Sequence, residues 1–127
     1  MTNKGKVLLV DDDIGAMENM PFFLTLEGYD VLTAADGQEG LEAARKYNPD
    51  VIVTDYDMPR MNGYQLSTAL MPNRPKMILM TEPIGNAFKN NPELNTDFTR
   101  YFDGFLKRPV DIYELLAEVR RVLESRD

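Results

Sequence analysis

Three consecutive aspartates, Asp11-Asp12-Asp13, follow the apolar run Lys6-Val7-Leu8-Leu9-Val10, and a fourth, Asp55, closes the run Val51-Ile52-Val53-Thr54. An ionised carboxylate is a hard oxygen donor for metals and a nucleophile towards phosphorus, which it converts to an acyl phosphate. Two further apolar runs end in groups that serve the same chemistry. Met77-Ile78-Leu79-Met80 ends in the hydroxyl of Thr81, and Phe105-Leu106 ends in Lys107-Arg108 before Pro109. Three carboxylates within a few ångströms repel and take up protons unless a cation intervenes. With only oxygen donors on offer, Mg²⁺ is the natural choice, because it accepts one or two carboxylates, keeps waters and bridges phosphate oxygens. Phosphoryl transfer then needs positioning and charge neutralisation, which a metal, a hydroxyl and a basic side chain supply.

Positioning these groups is the task of the elements around them. Residues 51–55 are rich in β-branched side chains and read as a strand buried on both faces, as strands of parallel sheets do. An acid at the last position is expected to escape that burial, since ligands sit outside the carboxyl ends of such strands. Residues 6–10, 30–34, 77–80 and 105–107 read as four more short strands. Between them, apolar residues at helical spacing predict helices over 14–27, stopped by Gly28, and from Asp36 to before Asn48-Pro49, with Asp36 and Glu39 at capping-box spacing. Helices are also expected over 64–71 and from the N-cap Asp111 through Leu115, Leu116, Val119, Val122 and Leu123. Pro21 lies inside the first helix and predicts a kink or break near its middle. The stretch 82–95, with two prolines, a glycine and four asparagines, favours a loop. Phe98, Tyr101 and Phe102 then regain helical spacing.

Strands alternating with helices require a parallel sheet with right-handed crossovers and helices on both faces, the doubly wound α/β class. At 127 residues the chain is expected to form a single domain over 1–127. The absence of cysteine and histidine excludes disulfides, thiolate metal sites and a histidine general base. The net charge of -7 argues against direct nucleic-acid binding, which needs a basic footprint. No apolar run is long enough for a membrane span or a secretory segment, so no membrane association and a cytoplasmic location are expected.

Each chemical group also has a plainer use. Asp13 fits an N-cap for the first helix, and the whole acidic run suits the positive end of that helix. Thr81 could satisfy local backbone, and Lys107 and Arg108 could be solvated charges at a sheet edge. The coincidence of all of them at strand ends favours one shared site.

Those motifs, namely Val10-Asp11-Asp12, Thr54-Asp55 with Met58-Pro59 and Asn62-Gly63, Thr81, and a basic residue before Pro109, make the chain resemble response-regulator receiver domains of two-component signalling. The resemblance covers nearly the whole sequence and implies a flavodoxin-like sheet of strand order 2-1-3-4-5. It implies that Asp55 accepts a phosphoryl group from the phosphohistidine of a sensor kinase or phosphotransfer protein. Asp11, Asp12 and Asp55 would hold Mg²⁺, with the backbone carbonyl of Asp57 as a further ligand. Thr81 would hydrogen-bond the phosphoryl oxygen, and its inward shift would let Phe105 rotate, switching a surface for a downstream protein or a fused output domain; a homodimer through the last two helices is a further expectation. The sequence departs from the family where Arg108 replaces the usual Lys, with Lys107 one position earlier and so on the opposite face of the strand. It departs again at Glu82, in place of a small residue, and in the irregular 82–95 stretch. These departures motivate an alternative, a degenerate receiver that binds a partner without phosphorylation. A third reading is a small phosphatase with Asp57 as general acid.

Overall fold

A computed structural model describes residues 3–82 and 98–125. Among these, strands and helices alternate along the chain. The order is β1 (Lys6–Val10), α1 (Ile14–Glu27), β2 (Asp30–Ala34), α2 (Gly37–Tyr47), β3 (Val51–Asp55), α3 (Gly63–Leu70) and β4 (Lys76–Thr81), then the single turn α4 (Phe98–Tyr101), β5 (Gly104–Lys107) and α5 (Ile112–Glu124). The strands form one all-parallel sheet of order β2-β1-β3-β4-β5. The expected fold class and strand order are thus observed.

Alternation along the central strands divides the core in two, because successive side chains leave opposite faces. Val7, Leu9, Val51, Val53, Ile78 and Met80 pack with Met20 and Leu24 of α1 and with Leu115, Val119 and Val122 of α5. Leu8, Val10, Ile52, Met77 and Leu79 pack on the other face with Leu41 and Ala44 of α2 and Leu66 of α3. Every one of these side chains is buried, and at about 1.5–3 kcal/mol for each large aliphatic removed from water they supply most of the drive to fold. Two layers of helices therefore enclose the strands, and the strand ends are left as the place where polar groups can gather.

The helix boundaries follow local chemistry. Asp13 caps α1 by accepting from the N–H groups of Gly15 and Ala16, and Asp111 does the same for Tyr113 and Glu114 in α5. Asp36 accepts from Glu39 N–H at 2.9 Å, but the Glu39 side chain reaches back to Ala35 N–H and not to Asp36 itself. Gly28, at φ 110°, closes α1 in the left-handed conformation that its lack of a Cβ permits. The expected break at Pro21 does not occur: α1 is continuous through it. Met20 and Leu24, on either side of the proline in sequence, are both buried against the sheet, and that packing keeps the helix continuous despite one missing donor.

Candidate phosphoacceptor site

The carboxyl ends of β1, β3 and β4 lie side by side, with Val10 opposite Thr54 and Asp55 opposite Met80. Asp11 follows β1 directly, and its N–H still bonds to the Ala34 carbonyl of β2, so the residue stays fixed to the sheet and is only 1% exposed. Asp12 is exposed beside it. Asp55 is 9% exposed, against the expectation that a strand-end acid escapes burial. The chain that follows folds back against the strand end. Gly63, the first residue of α3, donates its N–H to the Tyr56 carbonyl and presses so close that a Cβ there would stand 2.7 Å from the Asp55 carbonyl oxygen. Asn62 and Gln65 lock that helix start with a reciprocal capping box.

One carboxylate oxygen from each of Asp11, Asp12 and Asp55 falls within 4.8 Å of the others. Into this cluster reaches Arg108, just beyond β5. Side chains along β5 alternate, with Gly104 and Leu106 buried and Phe105 and Lys107 exposed, so the next position turns inward. Arg108 N–H bonds to the Thr81 carbonyl at 2.8 Å, which ties the end of β5 to the end of β4. Its guanidinium then spans two acids: Nε donates to Asp55 Oδ1 at 3.1 Å and Nη2 to Asp11 Oδ2 at 2.5 Å. Asp11 Oδ1 accepts in addition from Asp13 N–H at 3.0 Å.

One positive charge among three carboxylates leaves the site short of cations. Burial pushes the Asp55 carboxyl from its ordinary 3.8 up to about 6; Arg108 opposes that rise, while the charges of Asp11 and Asp12 reinforce it. Burial works against the charge on Arg108, yet its bond to Asp11 and the charge of Asp55 hold its pKa above the ordinary value.

The remaining expected residues are placed as follows. Thr81 ends β4, 5% exposed, in register with Lys107. Lys107 itself is exposed and makes no ion pair with the cluster among the described residues. Asp57 is exposed, and its carboxylate does not join the cluster. Phe105, in register with Leu79, is 47% exposed on the outer strand and is not a core side chain. Glu82 is exposed and stands outside the acidic cluster. Of the stretch 82–95, expected to be a loop, only Glu82 lies among the described residues. Sequence reasoning missed that Arg108 bridges two acids at once; two inward-facing strand-end carboxylates beside a residue with a five-donor fork were the available signal.

The model of the response regulator receiver domain family matches residues 7–120. The chain belongs to that family. Among curated relatives, a probable transcriptional regulator, ycf27 of Cyanophora paradoxa, is 31% identical over 125 residues, covering 98% of this chain and 51% of the relative. The transcriptional regulatory protein PrrA of Mycobacterium tuberculosis is 32% identical over 123 residues, covering 95% and 51%. This chain spans about half the length of the curated relatives it matches. Among solved structures, the chemotaxis response regulator CheY4 of Vibrio cholerae superposes with a TM-score of 0.80 at 32% identity, over 95% of this chain and 99% of that one. The receiver domain of the sensor histidine kinase PA1611 from Pseudomonas aeruginosa, solved with a magnesium ion in its active-site cleft, gives 0.81 at 22% identity over 95% and 98%. That likeness speaks for the fold alone.

The protein is therefore a response-regulator receiver domain with the acidic pocket of a phosphorylation site, and nothing supports the degenerate alternative. A receiver is a signalling domain and no conventional enzyme, so the phosphatase reading falls away with the family assignment. No helix among the described residues is long and apolar enough to cross a membrane.

Proposed function

We propose that this receiver takes a phosphoryl group onto Asp55 from the phosphohistidine of a sensor kinase or phosphotransfer protein, with Mg²⁺ held by Asp11, Asp12 and Asp55. The observation that carries the reading is the convergence of these three carboxylates with Arg108 at the carboxyl end of β3. The donor set fits the ion: all oxygen, three acids, one of them exposed to the waters that Mg²⁺ retains. When bound, Mg²⁺ supplies charge neutralisation between the acids and the phosphoryl oxygens. Asp55, ionised, attacks phosphorus with a carboxylate oxygen; the O–P bond forms as the P–N bond breaks, and the departing imidazole nitrogen takes a proton from solvent. Asp57 offers its backbone carbonyl as a further ligand. The Thr81 hydroxyl, at the neighbouring strand end, and the Arg108 guanidinium bind the phosphoryl oxygens, and Lys107 adds only a charge at the rim.

Output then follows from bias between two arrangements. A dianion on Asp55 favours the state in which Thr81 moves towards it and Phe105 turns inward from its exposed position, remodelling the surface around β5 and α5. The doubled length of the transcriptional-regulator relatives supports an output domain or separate partner as recipient. A protein donor finds an apolar landing beside the site, since Ile14, Phe22 and Leu26 are exposed at four- and eight-residue spacing along α1, which starts next to Asp12 and Asp13.

The test is incubation with Mg²⁺ and acetyl phosphate, read by intact mass beside Asp55→Asn. An adduct of one phosphoryl group in the wild type, absent from the variant and in chelator, is the expected result. A folded wild type that gains no mass overturns the reading.

A further inference from the structure

Asp11, Asp12, Asp13 and Asp55 gather at the carboxyl end of the sheet, and the amino end carries a basic patch that the proposed function does not use. Arg45 and Lys46 lie in the last turn of α2, and Lys6 Nζ donates to the Tyr47 carbonyl at 3.1 Å, which fixes that turn beside the start of β1. Both side chains are exposed, and neither enters an ion pair among the described residues. The nearby acids have local tasks: Asp50 Oδ2 accepts from Lys6 N–H at 2.7 Å, and Asp103 pairs with Arg74. Arg45 borders a cleft of about 500 Å³ between the end of α2 and the α3–β4 connection, with Ala44, Pro49, Leu70 and Pro75 among its lining.

The opposite end presents the complementary chemistry. Ile14, the first residue of α1, is 77% exposed and stands between Asp12 and Asp13 on one side and Glu18, one turn on, at the other; all three acids are exposed. We infer that the occupant of the α2–α3 cleft is a second copy of this chain, whose Ile14 enters the apolar lining while Asp12 and Glu18 meet Arg45 and Lys46. Burial of the apolar centre supplies the affinity, and the charges around it set the register. Cleft and anchor lie at opposite ends of one sheet, so the contact runs head to tail. Each dimer leaves one cleft and one Ile14 open, and association continues into short chains. Two copies of net charge -7 repel at long range and the contact is small, so association is weak and needs high protein concentration. The seated copy covers Asp12 and part of the α1 face offered to a protein donor, so self-association and phosphoryl transfer exclude one another; that consequence alone rests on the phosphoacceptor reading.

Sedimentation of the purified chain from about 10 μM to about 1 mM, in about 0.15 M salt, tests the contact. The wild type is expected to gain average mass with concentration, without the plateau of a closed dimer. Ile14→Ser loses the anchor and keeps the cleft, whereas the double variant Arg45→Glu with Lys46→Glu keeps the anchor and loses the cleft. Each is expected to stay monomeric alone, and an equimolar mixture of the two to form a one-to-one dimer that grows no further. A wild type that stays monomeric to about 1 mM overturns the inference, and so does an association that neither variant disturbs. A mixture that stays monomeric while the wild type associates overturns it as well. Labelling of Asp55 by acetyl phosphate in dilute protein is a separate readout, whose failure bears on the phosphoacceptor reading and leaves the contact standing.

Discussion

Two arginine–aspartate assemblies occupy opposite ends of the same sheet. At the amino-terminal end, Arg74 bonds to Asp103 Oδ2 at 2.6 Å and to the carbonyls of Pro75 and Arg100, while Asp103 Oδ2 also accepts from Met77 N–H at 2.8 Å. One plus meets one minus, and the β4 and β5 starts are held together, with Asp103 N–H returning to the Met77 carbonyl. At the carboxyl end, one guanidinium bonds to two of three clustered acids, and despite that bond the Asp55 carboxyl is pushed up to about 6. The difference separates a structural pair from the cluster that the proposed function uses. Neutrality holds strands in place, and an uncompensated buried charge keeps a site ready for a cation.

The largest effect is expected where the balance is complete. Arg74→Ala removes a side chain only 12% exposed, leaves the Asp103 carboxylate with Met77 N–H but no counter-charge, and takes a donor from two carbonyls. The loss should be about 3 kcal/mol in urea unfolding, the same with and without Mg²⁺. A loss below about 0.5 kcal/mol would show that Asp103 and Met77 alone hold the two strands.

At the other end, removing charge should help. The folded-state pKa of Asp55 stands above its ordinary 3.8, so the folded state holds a proton that the unfolded chain has lost between roughly pH 4 and pH 6. Stability from this group therefore falls as pH rises through that window and stays low above it. Asp55→Asn should stabilise the domain in chelator by about 2 kcal/mol at pH 7, and the gain should vanish below about pH 4, where both states of the wild type are protonated. A variant less stable than wild type at pH 7 would mean that the Arg108 bond outweighs the burial of Asp55.

Asp12 sharpens the contrast from the metal side. It is exposed and carries no structural hydrogen bond among the described residues, so Asp12→Asn should leave stability in chelator within about 0.5 kcal/mol. Mg²⁺ at several times its Kd should stabilise the wild type by about 1 kcal/mol and the variant by clearly less, read as the shift in Tm. An undiminished shift would place the ion elsewhere.

What was legible in the sequence followed from short-range rules. The runs 6–10, 30–34 and 51–55 are strands at the bounds that apolar content set, and Asp13, Asp36 and Asp111 cap the helices they precede. The gathering of Asp11, Asp12 and Asp55 was legible because strand ends of a parallel sheet must share one edge. Three features were not legible, and all three depend on tertiary contact. Continuity of α1 at Pro21 comes from burial of Met20 and Leu24. The burial of Asp55, at a strand end to which the chain returns at Gly63 eight residues later, depends on geometry that periodicity does not encode. The two-acid span of Arg108 depends on the angle at which the chain leaves β5. Alternation along β5 sets its side of the strand but not its reach.

The smallest effect is expected from a third pair that lies on the rim. Arg121 bonds through Nε to Glu118 Oε1 at 2.8 Å and through Nη2 to Oε2 at 2.9 Å, a bidentate geometry better than either buried assembly shows, but Arg121 is 57% exposed. The bond to Arg121 lowers the Glu118 pKa, so this contribution is present above the ordinary carboxylate range and fades as pH falls through it. Screening by water and salt limits Arg121→Ala to about 0.5 kcal/mol at neutral pH, less in high salt. Glu118 keeps a second task in that variant, accepting from Phe105 N–H on the open edge of β5 at 3.2 Å. If Arg121→Ala costs as much as Arg74→Ala, then closure of that edge, where Arg121 also bonds the Asp103 carbonyl, is what the pair contributes, and good geometry matters more than burial in ranking the three arginines.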